Sequence, residues 1–270
     1  MNERLAVTID DDGVADVRLN RPDKMNALDP GLFKALVEVS DELAKDASLR
    51  CVVLSGEGRS FCAGLDFASF QGMTERDQAA DTLDAVATSA DRITHQGQQA
   101  VYGWTTLPVP VIAAVHGHAL GGGAQLALGA DIRLMAPDAK LSILEIRWGL
   151  IPDMTGTQQL VDLVGLDVAK ELTFTGRMVS GTEAVELGLA TRLSDDPRSD
   201  ALAMAAEIAT KSPHAIRAAK RLFNDAPRAS RAEGFADERA EIGALIGSPN
   251  QVEQVSAFFE KRSPDFIDPD

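Results

Sequence analysis

The chain has 270 residues, 45% of them apolar and 25% charged, which suits one large globular unit or a main unit with a small appendage. A formal charge of −15, from 41 acidic against 26 basic residues, argues against nucleic acid as a partner and gives no general attraction to phosphorylated ligands. Only two cysteines exclude a disulfide scaffold, and no apolar run reaches the roughly 18 residues of a membrane helix. With no apolar secretory core in Met1 to Leu5, the expectation is a reduced, cytoplasmic protein with no membrane partner.

In chain order, Leu5 to Ile9 and Val14 to Leu19 alternate apolar and polar residues around Asp10-Asp11-Asp12-Gly13 and read as a β-hairpin. Asn20 to Asn26 is a loop. Asp29 can cap a helix with Pro30 in its first turn, and Leu32, Leu36, Val39 and Leu43 follow at helical spacing. A buried strand at Cys51 to Leu54 leads into a glycine-containing turn. Residues 67 to 107 are polar, alanine-rich and expected to be largely helical, either a cover for a groove or an ordinary solvated helix pair.

The segment Val111-Ile112-Ala113-Ala114-Val115-His116-Gly117-His118-Ala119-Leu120-Gly121-Gly122-Gly123 reads as an apolar strand running into three glycines, with a helix-compatible stretch to Leu128 behind it. Short strands are expected near Ile132 to Met135, Leu141 to Ile143 and Leu189 to Leu193. Helices are expected over Thr155 to Leu163, Val168 to Phe174 and Gly181 to Leu187, the last with Ser180 and Glu183 in capping-box spacing. Asp195-Asp196-Pro197 marks a boundary between an α/β core, residues 1–195, and a helical region, 196–270.

The chemistry concentrates at two glycine turns, Ser60 to Asp66 and Gly117 to Gly123. Each exposes backbone N–H groups, and one from each could converge on a single anionic oxygen; either turn alone could equally be structural. Competing motifs are weaker. His116 and His118 flank a glycine with no clustered carboxylate or cysteine, a poor metal set. Cys62 has no evident His–Asp partner. The glycine spacing is not that of a dinucleotide fingerprint.

Taken together, several segments make this chain resemble the crotonase superfamily, the enoyl-CoA hydratases and isomerases. They are Leu19-Asn20-Arg21-Pro22 with Asn26-Ala27-Leu28, Phe61 to Asp66, Gly117 to Gly123, Gly149-Leu150-Ile151-Pro152 with Gly156-Thr157-Gln158, Thr175-Gly176-Arg177 with Ala184 and Gly188-Leu189, and Phe258 to Arg262. The resemblance implies a spiral of repeated ββα units with a C-terminal helical region, assembled as a homotrimer or dimer of trimers. It implies an acyl-CoA substrate, with coenzyme A bound as the thioester portion and no tightly held cofactor.

Carried over to this chain, the oxyanion hole falls on the N–H groups of Leu65 and Gly122. The two hydratase glutamates fall on Gln125 and Glu145. A carboxamide cannot take a proton at neutral pH, so Glu145 is the candidate base; its bland alternative is a strand-end carboxylate held by Arg147 or a backbone N–H. Gln125 is a water or substrate positioner, or a packed helix side chain. Asp153 occupies a position acidic in dienoyl-CoA isomerases, or else caps the helix after it. One carboxylate suits Δ3,Δ2-enoyl-CoA isomerisation, with hydration of a 2-enoyl-CoA, or acyl-CoA binding without catalysis, as alternatives. His118 stands where hydratases often have a pocket tyrosine. Coenzyme A is expected along Lys24, Asn26, Ala27, Ala63, Leu65 and Asp66, with Lys261 helping from the C-terminal region. Ala68 replaces a phosphate-binding lysine, and Ile242 and Phe258 are expected to close the pocket.

Overall fold

The computed structural model describes residues 3–66 and 92–269. Among the described residues, nine strands form two sheets. The larger contains β1 (Leu5–Ile9), β2 (Val14–Leu19), β3 (Cys51–Gly56), β4 (Val111–Val115), β6 (Ile132–Met135) and β9 (Arg192–Leu193), hydrogen-bonded in that order. The smaller has the order β5 (His118–Leu120), β7 (Lys140–Ser142) and β8 (Val179–Ser180). The expected hairpin β1–β2 is antiparallel, from Leu5 opposite Leu19 to Ile9 opposite Ala15, whereas β2, β3, β4, β6 and β9 run parallel.

Parallel strands need crossover segments, and helices supply them: α1 (Pro30–Leu43), α2 (Gln96–Thr105), α3 (Gly122–Leu128), α4 (Gly156–Val164), α5 (Leu166–Thr175) and α6 (Gly181–Leu187). The helical remainder is α7 (Pro197–Ala209), α8 (Pro213–Asp225), α9 (Arg231–Leu245) and α10 (Pro249–Glu260). The Asp29 carboxylate caps α1 as expected, accepting from the Leu32 N–H at 2.7 Å. At α6 only half of the expected capping box forms. Ser180 accepts from the Glu183 N–H, while the Glu183 carboxylate goes to Arg177 instead.

Both faces of the larger sheet are covered, which is why its central strands are continuously apolar. Val52, Leu54, Val111, Ala113 and Val115 join one cluster with Leu32, Leu36 and Trp104. Their neighbours Cys51, Val53, Ile112 and Ala114 point the other way and meet Ala201 and Ala205. Those two alanines, one helical turn apart, let α7 lie close on the sheet. Thus the first helix past Asp195-Asp196 packs on the α/β core itself, touching β2, β3, β4 and β6.

The apolar run before the glycines differs from the single strand expected. It divides into β4 in the larger sheet and β5 in the smaller, turning at Gly117 with φ +59°. A side chain there would collide with the Arg59 carbonyl, so the change of sheet depends on glycine at this position. The two-residue strand β8 was likewise not expected. Of residues 67 to 107, the part beyond Arg92 forms α2 as expected; residues 67–91, and with them Ala68, lie outside the described residues.

Candidate active site

Two glycine turns are pressed together where β5 passes into α3. The Cys62 N–H donates to the His118 carbonyl at 2.8 Å, and the Leu120 N–H donates back to Cys62 at 3.0 Å. A little further on, Leu28 donates to the Gly64 carbonyl at 2.7 Å and accepts from the Asp66 N–H at 2.9 Å. Residues 62–66 are therefore clamped on both sides. Gly64, at φ +87°, has room for no side chain: a Cβ there would stand 2.5 Å from the Leu120 oxygen and 3.8 Å from the Gly122 nitrogen. Among the described residues, neither the Leu65 N–H nor the Gly122 N–H has an acceptor. Two free donors are thus left on abutting turns, one at the first residue of α3.

Gly64→Ala is expected to separate these turns. If both donors hold one oxygen, loss of that alignment should lower kcat by about 10²-fold or more, the scale seen for one oxyanion donor. Turnover within a few-fold of the unmodified chain, in a variant that remains folded by circular dichroism, would count against a shared oxyanion site.

Glu145 opens a single 3-10 turn, Glu145–Trp148, after β7. Its carboxylate is buried against Gly121, where an added Cβ would lie 3.4 Å from Oε1 and 3.9 Å from Oε2. Oε1 accepts from Gln125 Nε2 at 2.5 Å, and Oε2 is buried with no hydrogen-bond partner among the described residues. Burial pushes the Glu145 pKa above the ordinary carboxylate value; its own backbone N–H and the Gln125 amide oppose the rise, and the Asp153 charge adds the smallest contribution to it. Arg147 does not pair with it.

Gln125 is fully buried on α3, and its orientation is set by its partners. Its Oε1 accepts from the Met154 N–H at 2.8 Å and the Gly156 N–H at 3.1 Å. An oxygen holding two backbone donors leaves the amide nitrogen to face Glu145. This clamp ties together α3, the Glu145 turn and the segment before α4. In that segment Thr155 takes φ +70° and is the N-cap of α4 without a side-chain bond, so Asp153 does not cap this helix. Asp153 instead lies half-exposed with Oδ2 3.9 Å from His95 Nε2.

Three further residues at this place were not among the candidates, although Leu28 belongs to the Asn26-Ala27-Leu28 segment. A Cβ on Gly122 would meet Leu28 Cδ1 at 2.8 Å and Met154 Sδ at 2.9 Å, so these side chains wall the donor. His95 is the third. It looks like one polar residue among many, because histidine is not a usual helix cap.

The remaining candidates divide by what their side chains already do. Asn26 is fully buried and committed to structure: its Oδ1 accepts from the Arg21 N–H, and its Nδ2 donates to the Glu57 and Ser60 carbonyls. Asp66 pairs with Arg21 at 2.9 Å, and Arg21 also donates to the Ala27 carbonyl. Lys24 and Lys261 are exposed. The Ala63 N–H donates to Met25, and its carbonyl accepts no bond among the described residues. His116 and His118 both reach the 58–60 loop, through the Gly58 carbonyl and the Ser60 hydroxyl. Burial pushes the Cys62 thiol up to about 12, so it is protonated at neutral pH and no nucleophile. Ile242 and Phe258 are exposed on α9 and α10.

The family model for enoyl-CoA hydratase/isomerase matches residues 10–269. A relative from Mus musculus, enoyl-CoA hydratase domain-containing protein 2, mitochondrial, is 34% identical over 97% of this chain and 87% of its own length. The crystal structure of an enoyl-CoA hydratase from Bacillus anthracis is similar with a TM-score of 0.88 at 32% identity, covering 97% of this chain and 98% of that one. An enoyl-CoA hydratase from Mycobacterium smegmatis gives 0.84 at 32% identity, over 97% and 98%. The chain belongs to the enoyl-CoA hydratase/isomerase family. It is an enzyme of this family with the crotonase fold, and the expected α/β architecture is the one found.

Proposed function

We propose that this protein is a Δ3,Δ2-enoyl-CoA isomerase in which Glu145 is the only acid–base group. The carrying observation is the pairing of one buried carboxylate, free at Oε2, with a carboxamide whose oxygen is already held by two backbone N–H groups. Because Gln125 donates to Oε1, the proton is taken at Oε2. In the reaction, Oε2 removes a proton from C2 of a 3-enoyl-CoA. The C–H electron pair becomes the C1–C2 double bond of a dienolate, and the thioester oxygen carries the negative charge against the Leu65 and Gly122 N–H groups. The same carboxyl group returns the proton to C4, leaving the double bond between C2 and C3. Nothing is consumed, and one group suffices.

Adding water to a 2-enoyl-CoA needs a base for the water and an acid for C2, and Gln125 cannot supply a second carboxyl. Hydration is kept as the second reading because the relatives carry hydratase names. A paired assay decides: conversion of 3-enoyl-CoA to 2-enoyl-CoA, and loss of 2-enoyl-CoA in water. Isomerisation is expected to exceed hydration at least about tenfold in kcat/KM, and the reverse order would replace the first reading with the second.

The coenzyme A portion is assigned to the Arg21–Ala27 loop and the 63–66 turn. The free Ala63 carbonyl supports this as acceptor for the adenine amino group, and exposed Lys24 and Lys261 are the cations for its phosphates. A homotrimer or dimer of trimers built on residues 196–270 is part of the same reading. It is supported by α9, which buries none of its residues, and by Phe258 and Phe259, which are 75% and 77% exposed. Apolar surface of that kind favours association. Sedimentation at micromolar concentration is expected to show a trimer or hexamer, and a monomer would contradict it. A cytoplasmic location is proposed with it; among the described residues no helix is long and apolar enough to cross a membrane.

A further inference from the structure

Two neighbouring glycines of the turn before α3 face different things. A Cβ on Gly121 would lie 3.4 Å from Glu145 Oε1, whereas one on Gly122 would meet Leu28 Cδ1, Met154 Sδ at 2.9 Å and Met154 Cε at 3.7 Å. The carboxylate and this apolar pair therefore stand on different sides of the turn. In a helix the Cα–Cβ direction tilts toward the N-terminal end, the end at which the first N–H is left free, so the pair stands beside the Gly122 donor. Met154 is buried, and both ends of it are placed. Its N–H donates to Gln125 Oε1 at 2.8 Å. Its Cγ lies where a Cβ on Gly97 would be 3.6 Å away, next to His95, the N-cap of α2, whose Nδ1 accepts from the Gly97 N–H at 3.1 Å. The side chain thus runs from the start of α2 to the start of α3, with its thioether and methyl at the Gly122 end.

We propose that Met154 is a specificity-determining residue: with Leu28 it walls the place of the acyl C2 atom and confines the enzyme to acyl-CoA thioesters unbranched at C2. The inference rests on the acyl-CoA reading above, with the thioester oxygen on the Leu65 and Gly122 N–H groups and Glu145 as the base. An oxygen held by the Gly122 N–H stands about 3 Å from that nitrogen. C1 and C2 follow one and two bonds further on, within reach of the Met154 thioether. At C2 one hydrogen faces Glu145, and the other two substituents, C3 and a second hydrogen, point away from the base toward the walled side. C3 continues the chain. A methyl in place of the second hydrogen needs room that the thioether fills, and Leu28, fully buried in the core, has none to give. Met154 is the part of the wall that can be cut back with both donors left in place, because what it contributes there is the far end of an unbranched side chain.

The test is calorimetric binding of butanoyl-CoA against each epimer of 2-methylbutanoyl-CoA, saturated thioesters with no double bond to move or hydrate. The unmodified chain is expected to bind at least one epimer about tenfold or more weakly than butanoyl-CoA, the scale of one methylene in a fitted pocket. Met154→Ala should bring that epimer within about threefold of butanoyl-CoA. Met154→Val also lacks Sδ and Cε while filling more of the space, and it serves if the alanine variant does not fold. Met154→Leu, of similar volume, should keep the discrimination. All three variants retain the backbone N–H that Gln125 holds. Both epimers within about twofold of butanoyl-CoA in the unmodified chain, or discrimination unchanged in Met154→Ala and Met154→Val alike, would overturn the proposal. The titration needs no turnover, so it stands apart from the isomerase assay. Discrimination that vanishes in Met154→Ala, in a protein without isomerase activity, would remove the reaction and leave this role. Butanoyl-CoA bound without discrimination would do the reverse, and no binding of butanoyl-CoA at all would overturn both.

Discussion

Replacing Glu145 with glutamine is expected to abolish turnover while making the fold less sensitive to rising pH. The substitution is nearly isosteric, and a glutamine Oε1 still accepts from Gln125 Nε2, so the clamp on the Met154–Gly156 segment persists. What disappears is the proton acceptor at Oε2, and removing a general base costs about 10²–10⁴-fold in rate. The stability effect follows from the direction of the Glu145 shift. Burial raises its folded pKa above the ordinary value of 4.5, so the folded state holds the proton to a higher pH than the unfolded chain does. Between those two values the native state binds more protons, and stability falls as pH rises. Below 4.5 both states are protonated and this cost is absent; above the folded value it is complete. The unfolding free energy of Glu145→Gln relative to the unmodified chain should therefore grow from pH 4 towards pH 8. Urea melts at a series of pH values measure it. A gap that stays flat with pH would mean that Glu145 is not held against its charge, and full activity in the variant would remove it from the reaction. In the unmodified enzyme the same shift places the acid limb of kcat/KM above the pH of an ordinary carboxylate.

How this site could be read from the chain, and where reading stopped, follows from the range of the interactions. Asp29 before Pro30 is a local signal, and the cap forms as read. The alternation in β1 and β2 is local too. The glycine turns were legible because free N–H groups belong to the backbone, whatever side chains surround them. The break at Gly117 was not, because it depends on the Arg59 carbonyl, more than fifty residues away. Gln125 illustrates the limit most clearly. The sequence shows that it lacks a carboxylate's chemistry, but two backbone donors from beyond residue 150 decide which of its atoms faces Glu145. His95 offers no local signal at all, since its second nitrogen finds Asp153 across a separate element of the fold.

Gln125→Glu should raise hydration of a 2-enoyl-CoA and add a pH limit that a single carboxylate does not impose. The new carboxylate keeps one oxygen on the Met154 and Gly156 N–H groups, where the amide oxygen sits now. Its other oxygen then lies where Nε2 lies, 2.5 Å from Glu145 Oε1. Two carboxylates that close in a buried site cannot both ionise cheaply; they share one proton, and the pair titrates with two separated midpoints that belong to neither residue alone. Between those midpoints one member is an acid and the other a base, the combination that adding water across a 2-enoyl-CoA requires. Hydration should rise by about 10²-fold or more in that range, following the same acid–base scale. Isomerisation should survive there within about tenfold, because the introduced carboxyl, while protonated, donates to Glu145 much as the amide does. Above the upper midpoint the second proton is lost, no acid remains, and mutual repulsion opens the clamp; both activities should fall together, whereas the unmodified enzyme, with one carboxylate, shows no such descending limb from this pair. The measurement is kcat/KM for both reactions against pH in the two proteins. Hydration that stays at its starting level across the whole range, in a variant whose melting shows it folded, would mean that water has no place to stand between residue 125 and Glu145. The pocket, and not the missing carboxyl, would then be what sets the reaction.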